Sequence, residues 1–184
     1  MAGGADLILE LPTVWSIASA EGFARGAVAI LSARGLVLVL SFGSESGEII
    51  RLRELAQCLN SPEFSAALRR ELRPKCSFAQ CRRRAAAALL GEETAALLDS
   101  PNNNLGVEYL RFLPPDMEPV TIPRRGSRHD SPVEEDGFLS ASLLRQRLRA
   151  EEVTGVSPFL SLPWKGETAD MKYLERALIA RLRS

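Results

Sequence analysis

The stretch LVLVLSFGSESG, residues 36–47, decides the fold of this chain. Residues 36–42 are apolar at almost every position, as is typical of a central strand in a parallel sheet, which is buried on both faces. The residues that follow, GSESG, are small or polar. A loop of this kind after a buried parallel strand falls at the carboxyl edge of the sheet, where α/β proteins bind ligands. The stretch therefore predicts an α/β fold with a ligand site directly after this strand.

Segments on both sides extend this prediction to a parallel sheet flanked by helices. Upstream, residues 6–11 (DLILEL) form a predicted strand and residues 16–33 have the apolar spacing of a helix, which gives a strand–helix–strand unit. Downstream, residues 118–122 (EPVTI) are a third predicted strand. The predicted helices between the second and third strands are residues 48–59, 62–72, 78–98 and 101–113. A basic helix ending at residue 149 and an amphipathic C-terminal helix at residues 168–183 complete the chain.

Composition places the chain among ordinary globular proteins. Apolar residues make up 46% and charged residues 25%, and 23 basic residues balance 23 acidic ones, so no overall field attracts a polyanion. The longest apolar stretch, residues 27–42, is interrupted by Ser32, Arg34 and Gly35 and falls short of the ~20 residues that span a membrane. The N-terminus lacks the basic segment of a signal peptide. We therefore expect a cytoplasmic protein without a membrane segment.

The cysteines and the single histidine form no recognisable metal or catalytic pattern. Cys76 and Cys81 do not have the short spacing of a zinc ligand pair, and Cys58 has no partner at ligand spacing either. His129 beside Asp130 resembles a general base, but the sequence indicates no nucleophile near it. We therefore predict no metal site and assign no catalytic residue.

Besides a basic group between residues 124 and 149 that could also contact phosphates, seven basic residues lie in one dense stretch of the chain. They are Arg69, Arg70, Arg73, Lys75, Arg82, Arg83 and Arg84. The only acid among them is Glu71. Arginine and lysine contact nucleic-acid phosphates through charge-assisted hydrogen bonds, so this stretch is a candidate RNA-binding surface. The alternative is a solvated helix face, which the residues alone also permit.

Polar clusters that follow strands or open helices are the candidate ligand contacts. They are Gly43-Ser44-Glu45, Asn102-Asn103, residues 124–127 (RRGS, beginning with Arg124) and residues 140–145 (SASLLR, with Ser140, Ser142 and Arg145). Serine hydroxyls and backbone N–H groups at a helix start favour an anion, with the helix dipole behind them. The alternatives are a plain N-cap at Ser140 and a simple turn at residues 43–45. No glycine spacing typical of a P-loop or of a dinucleotide fingerprint is present.

Several segments together resemble one known family, the tRNA(Met) cytidine acetate ligases. In order along the chain they are GADLILELPTVWSIASAEGFARGAVAIL (residues 4–31), SFGSESG (41–47), CSFAQCRR (76–83), SPNNNLGVEYLRFL (100–113), PVTIPRRGSRHD (119–130) and LSASLLRQRL (139–148). Their order and spacing are similar to those of the family over roughly residues 4–150.

The resemblance implies a Rossmann-like (HUP-class) fold of the HIGH nucleotidyltransferase type. It implies an ATP-binding domain over residues 1–150 and a helical appendage over residues 151–184. Such an enzyme would use ATP, with Mg²⁺ as its counter-ion, to activate acetate as acetyl-adenylate, and would pass the acetyl group to N4 of the wobble cytidine of elongator tRNA(Met). Matched residue by residue, the implied ATP contacts are Gly43, Asn102 or Asn103, Arg124, and, in the SASLLR run near the triphosphate, Ser140, Ser142 and Arg145.

The sequence departs from the family pattern at its start. Family members begin with a strand and an N-P-F-H-x-G-H loop whose histidines contact the ATP phosphates, whereas Met1 here stands just before the GADL segment. We therefore expect a nucleotidyltransferase domain that is truncated at its N-terminus, either a fragment of a longer ligase or a degenerate paralogue. Two alternatives stay open: a catalytically inactive tRNA- or nucleotide-binding protein, and a nucleotidyltransferase that acts on a small metabolite.

Overall fold

The computed structural model of the chain describes residues 5–33, 35–72, 76–124 and 146. Leu9–Arg124 form one compact unit, and the helices and strands described here belong to it. The predicted C-terminal helices, and with them the predicted domain boundary between residues 150 and 151, lie outside the described residues. The candidate site residues that lie outside them are Arg73, Lys75, Ser140, Ser142 and Arg145.

Two parallel strands form the sheet in the described part of the chain. β1 is Val39–Ser44 and β2 is Glu118–Pro123. Leu40 lies opposite Pro119 in the parallel register, and the last residues of the two strands lie opposite each other. The predicted parallel sheet is thus confirmed, although β1 begins later than the apolar run at residues 36–42 suggested. Both strands end at the same edge, the carboxyl edge of the sheet.

The predicted strand at residues 6–11 is wrong. Leu7, Ile8 and Leu9 are 71%, 69% and 53% exposed, and within the described residues neither β1 nor β2 pairs with this segment. A strand needs a hydrogen-bonded neighbour for its backbone, and a local apolar pattern cannot supply one. The strand–helix–strand unit predicted around it is therefore not formed in the described residues.

The helix predicted at residues 16–33 begins later than predicted, and a short helix precedes it. α1 is Thr13–Ser16 and α2 is Ala20–Ser32. Ser19 is the N-cap of α2, since its side chain accepts a hydrogen bond from a backbone N–H in the first turn. Several serines in this segment could cap a helix, so the sequence alone does not select between them.

A chain of helices crosses from β1 to β2. It consists of α3 (Ile49–Leu59), α4 (Pro62–Glu71), α5 (Phe78–Leu90), α6 (Glu92–Ala95), a 3₁₀ turn (Ala96–Asp99) and α7 (Pro101–Phe112). α5 ends earlier than the predicted helix at residues 78–98, because Gly91 adopts φ +84°, a left-handed conformation that ends helices. Among the described residues, no helix is both long enough and apolar enough to cross a membrane.

The core lies where α3 and α7 pack against the sheet. Leu52 and Leu55 of α3 and Val107 of α7 have no exposed surface, and Phe42 of β1 is buried beside them. Gly106 lets α7 approach β1 closely, because a Cβ at this position would lie 2.6 Å from Phe42 Cε2. This packing fixes the direction of α7, whose first turn reaches the carboxyl edge of the sheet.

Candidate functional site

Ser44, the last residue of β1, joins the two strand ends. Its side chain is fully buried, and its Oγ lies 2.7 Å from Thr121 Oγ1 and accepts a hydrogen bond from Gly47 N at 3.0 Å. The Ser44 carbonyl accepts a second one from Arg124 N at 2.8 Å. Gly47 adopts φ +67°, which glycine does without steric cost. The loop after β1 and the residue after β2 are therefore fixed to each other.

Gly43 and Arg124, both predicted ligand contacts, are neighbours at this edge. A Cβ on Gly43 would lie 3.6 Å from Arg124 Cγ and 3.9 Å from Ile122 O. Both residues are exposed. Because Gly43 has no side chain, a ligand can approach the backbone beside the arginine stem. A guanidinium next to open backbone suits a phosphate group.

Glu45 connects the loop after β1 to the start of α7. Its Oε1 accepts hydrogen bonds from Asn102 N at 3.1 Å and from Asn102 Nδ2 at 2.7 Å. Its Oε2 accepts one from Asn103 N at 2.7 Å. A carboxylate is favoured at a helix N-terminus, where it satisfies backbone N–H groups and interacts with the helix dipole. Glu45, Ser46, Asn102 and Asn103 are hereafter the Glu45 cluster.

The two asparagines of the Glu45 cluster have different surroundings. Asn103 is 2% exposed, and its Oδ1 accepts a hydrogen bond from Ser46 N at 3.0 Å. Asn102 is partly exposed. Asn103 therefore holds the loop after β1 against α7, whereas Asn102 is the asparagine whose side chain a ligand can reach.

The Glu45 carboxyl group is ionised at neutral pH. Burial by itself would raise its pKa, but hydrogen bonds from the Asn102 side chain and from the backbone of Asn102 and Asn103 outweigh that effect and hold the pKa below its usual value of 4.5. Glu45 is thus a hydrogen-bond acceptor only.

Two arginines of the predicted RNA-binding stretch are used inside the fold. Arg82 forms an ion pair with the buried Glu108, and Arg83 forms ion pairs with Glu92 and Asp99, each at 3.0 Å. Burial lowers the pKa of Arg82, and the facing Glu108 carboxylate acts in the opposite direction. A guanidinium stays charged in proteins, so Arg82 is a buried cation that depends on its partner.

Arg111 completes this buried arrangement. Its Nη1 lies 2.7 Å from Glu108 Oε2, and its Nε donates a hydrogen bond to Asn60 Oδ1 at 2.9 Å. Its Nη2 lies 3.7 Å from Glu21 Oε1. Glu108, Arg82 and Arg111 are hereafter the Glu108 cluster, which ties α7 to α5 within the protein interior.

Three other arginines of the predicted RNA-binding stretch face solvent in the described part of the chain. Arg69, Arg70 and Arg84 are exposed. Arg69 and Arg70 lie in the last turn of α4, where cations interact favourably with the helix dipole. These three residues are the part of the stretch that could contact a phosphate backbone within the described residues.

Sequence reasoning identified the loop after β1 but did not predict the role of Glu45. Glu45 and Asn102 are separated by 57 positions, so no local spacing indicates that they meet. The contact between Ser44 and Thr121 was not predicted for the same reason. In the described part of the chain, no group of three or more histidine, cysteine, aspartate or glutamate side chains is arranged to hold a metal ion.

Comparisons with known proteins agree with the fold just described. The tRNA(Met) cytidine acetate ligase of Caldanaerobacter subterraneus subsp. tengcongensis is 33% identical over 180 residues, which are 95% of this chain and 43% of that protein. The chain spans less than half the length of the curated relatives it matches. The resemblance stated from the sequence motifs is thereby confirmed.

Two solved structures of Thermotoga maritima TmcAL are similar to this chain. The apo form superposes with a TM-score of 0.75 at 32% identity, covering 96% of this chain and 43% of that one. The form bound with alpha-thio ATP superposes with a TM-score of 0.69 at 33% identity, covering 83% of this chain and 37% of that one. The predicted fold class is confirmed by these neighbours and by the parallel sheet.

The sequence profile described as HIGH Nucleotidyl Transferase matches residues 1–175, nearly the whole chain. The chain therefore belongs to the HIGH nucleotidyltransferase family.

Proposed function

We propose that this chain is the ATP-binding part of a ligase that activates acetate as acetyl-adenylate and acetylates N4 of the wobble cytidine of elongator tRNA(Met). The observation that carries the proposal is that, in a chain of this family, Gly43 lies beside Arg124 at the carboxyl edge of the sheet and Glu45, two residues later, binds Asn102. Relatives named as tRNA(Met) cytidine acetate ligases, and a neighbour solved with alpha-thio ATP, support it.

The residues at the edge suit the chemistry of adenylate formation. An acetate oxygen attacks the α-phosphorus of ATP, the bond to the β-phosphate oxygen breaks, and pyrophosphate leaves. Arg124, exposed beside the open backbone of Gly43, is suited to neutralise the charge that develops on the leaving pyrophosphate. Mg²⁺ would accompany ATP as its counter-ion.

The second half-reaction transfers the acetyl group to RNA. The N4 amine of the cytidine attacks the acetyl carbon, the bond to the AMP oxygen breaks, and N4 loses a proton. We assign no base to that proton. Ser140, Ser142 and Arg145 remain proposed triphosphate contacts, within a proposed domain of residues 1–150 followed by an appendage at residues 151–184. We also propose that the protein acts in the cytoplasm, where its tRNA substrate is found.

A second candidate function is tRNA binding without catalysis. The exposed Arg69, Arg70 and Arg84 favour it, because solvent-facing arginines can contact phosphates. Arg82 and Arg83 add nothing to that surface, since both are engaged in ion pairs. Binding of this kind would weaken steeply as salt is raised.

The test is release of pyrophosphate from ATP by the purified 184-residue chain, with and without acetate and tRNA(Met). The proposal predicts release that requires acetate, and acetylated tRNA when tRNA(Met) is added. Salt-sensitive tRNA binding without release would favour the second candidate. Adenylyl transfer to a small acceptor without any need for acetate would instead indicate a nucleotidyltransferase that acts on a metabolite.

A further inference from the structure

We propose that Glu45 is a positioning residue that turns the carbonyl oxygen of the Asn102 amide toward the nucleotide, so that the site selects a nucleoside group that donates a hydrogen bond. The inference rests on the proposed nucleotide site and adds to it an orientation and a selectivity. Its basis is the set of hydrogen bonds within the Glu45 cluster.

The chemistry of a carboxylate fixes which end of the Asn102 amide faces Glu45. An ionised carboxylate only accepts hydrogen bonds, so the amide atom that lies 2.7 Å from Glu45 Oε1 must be the NH₂ nitrogen. The amide oxygen therefore points away from Glu45. Because Asn102 is partly exposed, that oxygen can be reached by a ligand.

Glu45 itself cannot rotate freely to allow the opposite orientation. One carboxylate oxygen accepts from Asn102 N and the other from Asn103 N, so both are tied to the backbone at the start of α7. A flipped Asn102 amide would place its oxygen against a carboxylate oxygen, with no proton between them. The arrangement thus permits one orientation of the amide.

Asn103 does not compete for the same role. Its Oδ1 accepts from Ser46 N at 3.0 Å, and the side chain is almost completely buried. The fold therefore uses the amide oxygen of Asn103 internally. Of the two asparagines that the sequence left as alternatives, Asn102 is the one that presents an acceptor to a ligand.

The acceptor limits which nucleotide groups can form a hydrogen bond with the Asn102 amide oxygen. Phosphate oxygens are acceptors and make no hydrogen bond to an amide oxygen, whereas ribose hydroxyls and the exocyclic amine of adenine are donors. We infer that Asn102 contacts the nucleoside, while Arg124 contacts the phosphates. The shared ligand chemistry is an N–H or O–H donor, which comes from the ribose or from the base.

The test compares affinities of the full 184-residue chain for ATP, 2′-deoxy-ATP, 3′-deoxy-ATP and inosine triphosphate, which lacks the exocyclic amine. One analogue lacks the donor that contacts Asn102. The affinity of the wild type for this analogue should be about threefold to tenfold lower than for ATP, which is the effect of one hydrogen bond. Which analogue is weakened identifies the donor.

Two variants separate orientation from general damage to the site. In Glu45→Gln the Asn102 amide is no longer forced into one orientation. The variant should therefore bind ATP and that analogue with nearly equal affinity. Adding Asn102→Asp to Glu45→Gln again places an acceptor toward the ligand without changing the net charge, and should restore the preference. Glu48→Gln is the matched control, because Glu48 is exposed and pairs with Arg51 instead.

The outcomes distinguish this inference from the proposed function. Binding of ATP by the wild type, with unchanged selectivity in Glu45→Gln or no restoration in the double variant, would overturn the role of Glu45 alone. No difference between ATP and any of the three analogues in the wild type would do the same. Failure of the wild type to bind ATP or any analogue would overturn both.

Discussion

Two carboxylates are associated with α7. Glu45 accepts hydrogen bonds from the first turn of the helix, whereas Glu108 belongs to the helix and lies in the protein interior. Glu45 accepts hydrogen bonds from backbone and amide N–H groups at the carboxyl edge and is exposed. Glu108 is 1% exposed and faces the guanidinium groups of Arg82 and Arg111. The same helix therefore has an interior charge cluster that joins it to other helices and a surface cluster that orients side chains toward a ligand.

The two clusters differ in what the removal of the carboxylate leaves behind. Removing Glu108 leaves two arginines without their shared carboxylate in the interior, where unpaired charge is costly. Removing the charge of Glu45 leaves N–H groups that water can reach. We therefore expect the Glu108 cluster to determine stability and the Glu45 cluster to determine ligand selectivity.

The largest loss of stability should come from Glu108→Ala. It should lower the free energy of unfolding by about 3–5 kcal/mol, as is usual when one partner of a buried ion pair is removed. Urea unfolding followed by circular dichroism measures it, with the exposed Glu48→Ala as control. A loss no larger than that of the control would show that Glu108 does not hold α7 in place.

A smaller loss of stability is expected for substitution of Arg82, and almost none for substitution of Arg84 in the same basic stretch. Arg82→Gln should lower the free energy of unfolding by about 1–3 kcal/mol, because it leaves Glu108 incompletely paired. Arg84→Gln should stay within about 0.5 kcal/mol of the wild type, as is usual for surface changes.

The same pair of variants also tests the candidate RNA surface. If that surface binds tRNA, Arg84→Gln should reduce the slope of log affinity against log salt by about one, the contribution of one phosphate contact. Filter binding at several salt concentrations measures the slope. An unchanged slope in Arg84→Gln would remove Arg84 from the proposed RNA surface.

A modest, pH-dependent effect on stability should come from Glu45→Gln. A carboxylate at an exposed helix N-terminus contributes about 0.3–1 kcal/mol, which salt reduces further. Because the pKa of Glu45 is lowered in the folded chain, its contribution is present above the ordinary pKa of 4.5 and is lost as pH falls through the folded-state pKa. Urea unfolding from pH 7 to pH 3 should therefore show the wild type and Glu45→Gln converging at the acid end. A difference that grows on acidification would contradict the lowered pKa.

The sequence predicted elements that depend on local pattern. The parallel pairing of β1 and β2, and α7 from Pro101 to its end before Pro114, follow from apolar runs and turn residues. The strand at residues 6–11 was wrong because an apolar run does not reveal whether its backbone has a partner.

The site was predictable only in part, for a related reason. Gly43 and Arg124 follow strands, and parallel strands that start together end together, so their proximity could be anticipated. The contacts of Glu45 with α7 and of Arg82 with Glu108 join residues from separate parts of the chain. Charge alone made Arg82 a candidate RNA contact, and only the folded structure reveals its internal partner, Glu108.

The central claim is that the carboxyl edge of the sheet binds ATP, and the affinity of Arg124→Ala for ATP tests it most directly. Arg53→Ala is the matched control, since Arg53 is an exposed arginine that lines a cavity with Met117 and Pro119, at the opposite end of β2. Equilibrium dialysis with ATP should show a loss of about tenfold to a hundredfold in Arg124→Ala, the effect of one hydrogen bond to a charged group, and no loss in Arg53→Ala. Equal affinities in the two variants would contradict a nucleotide site at this edge.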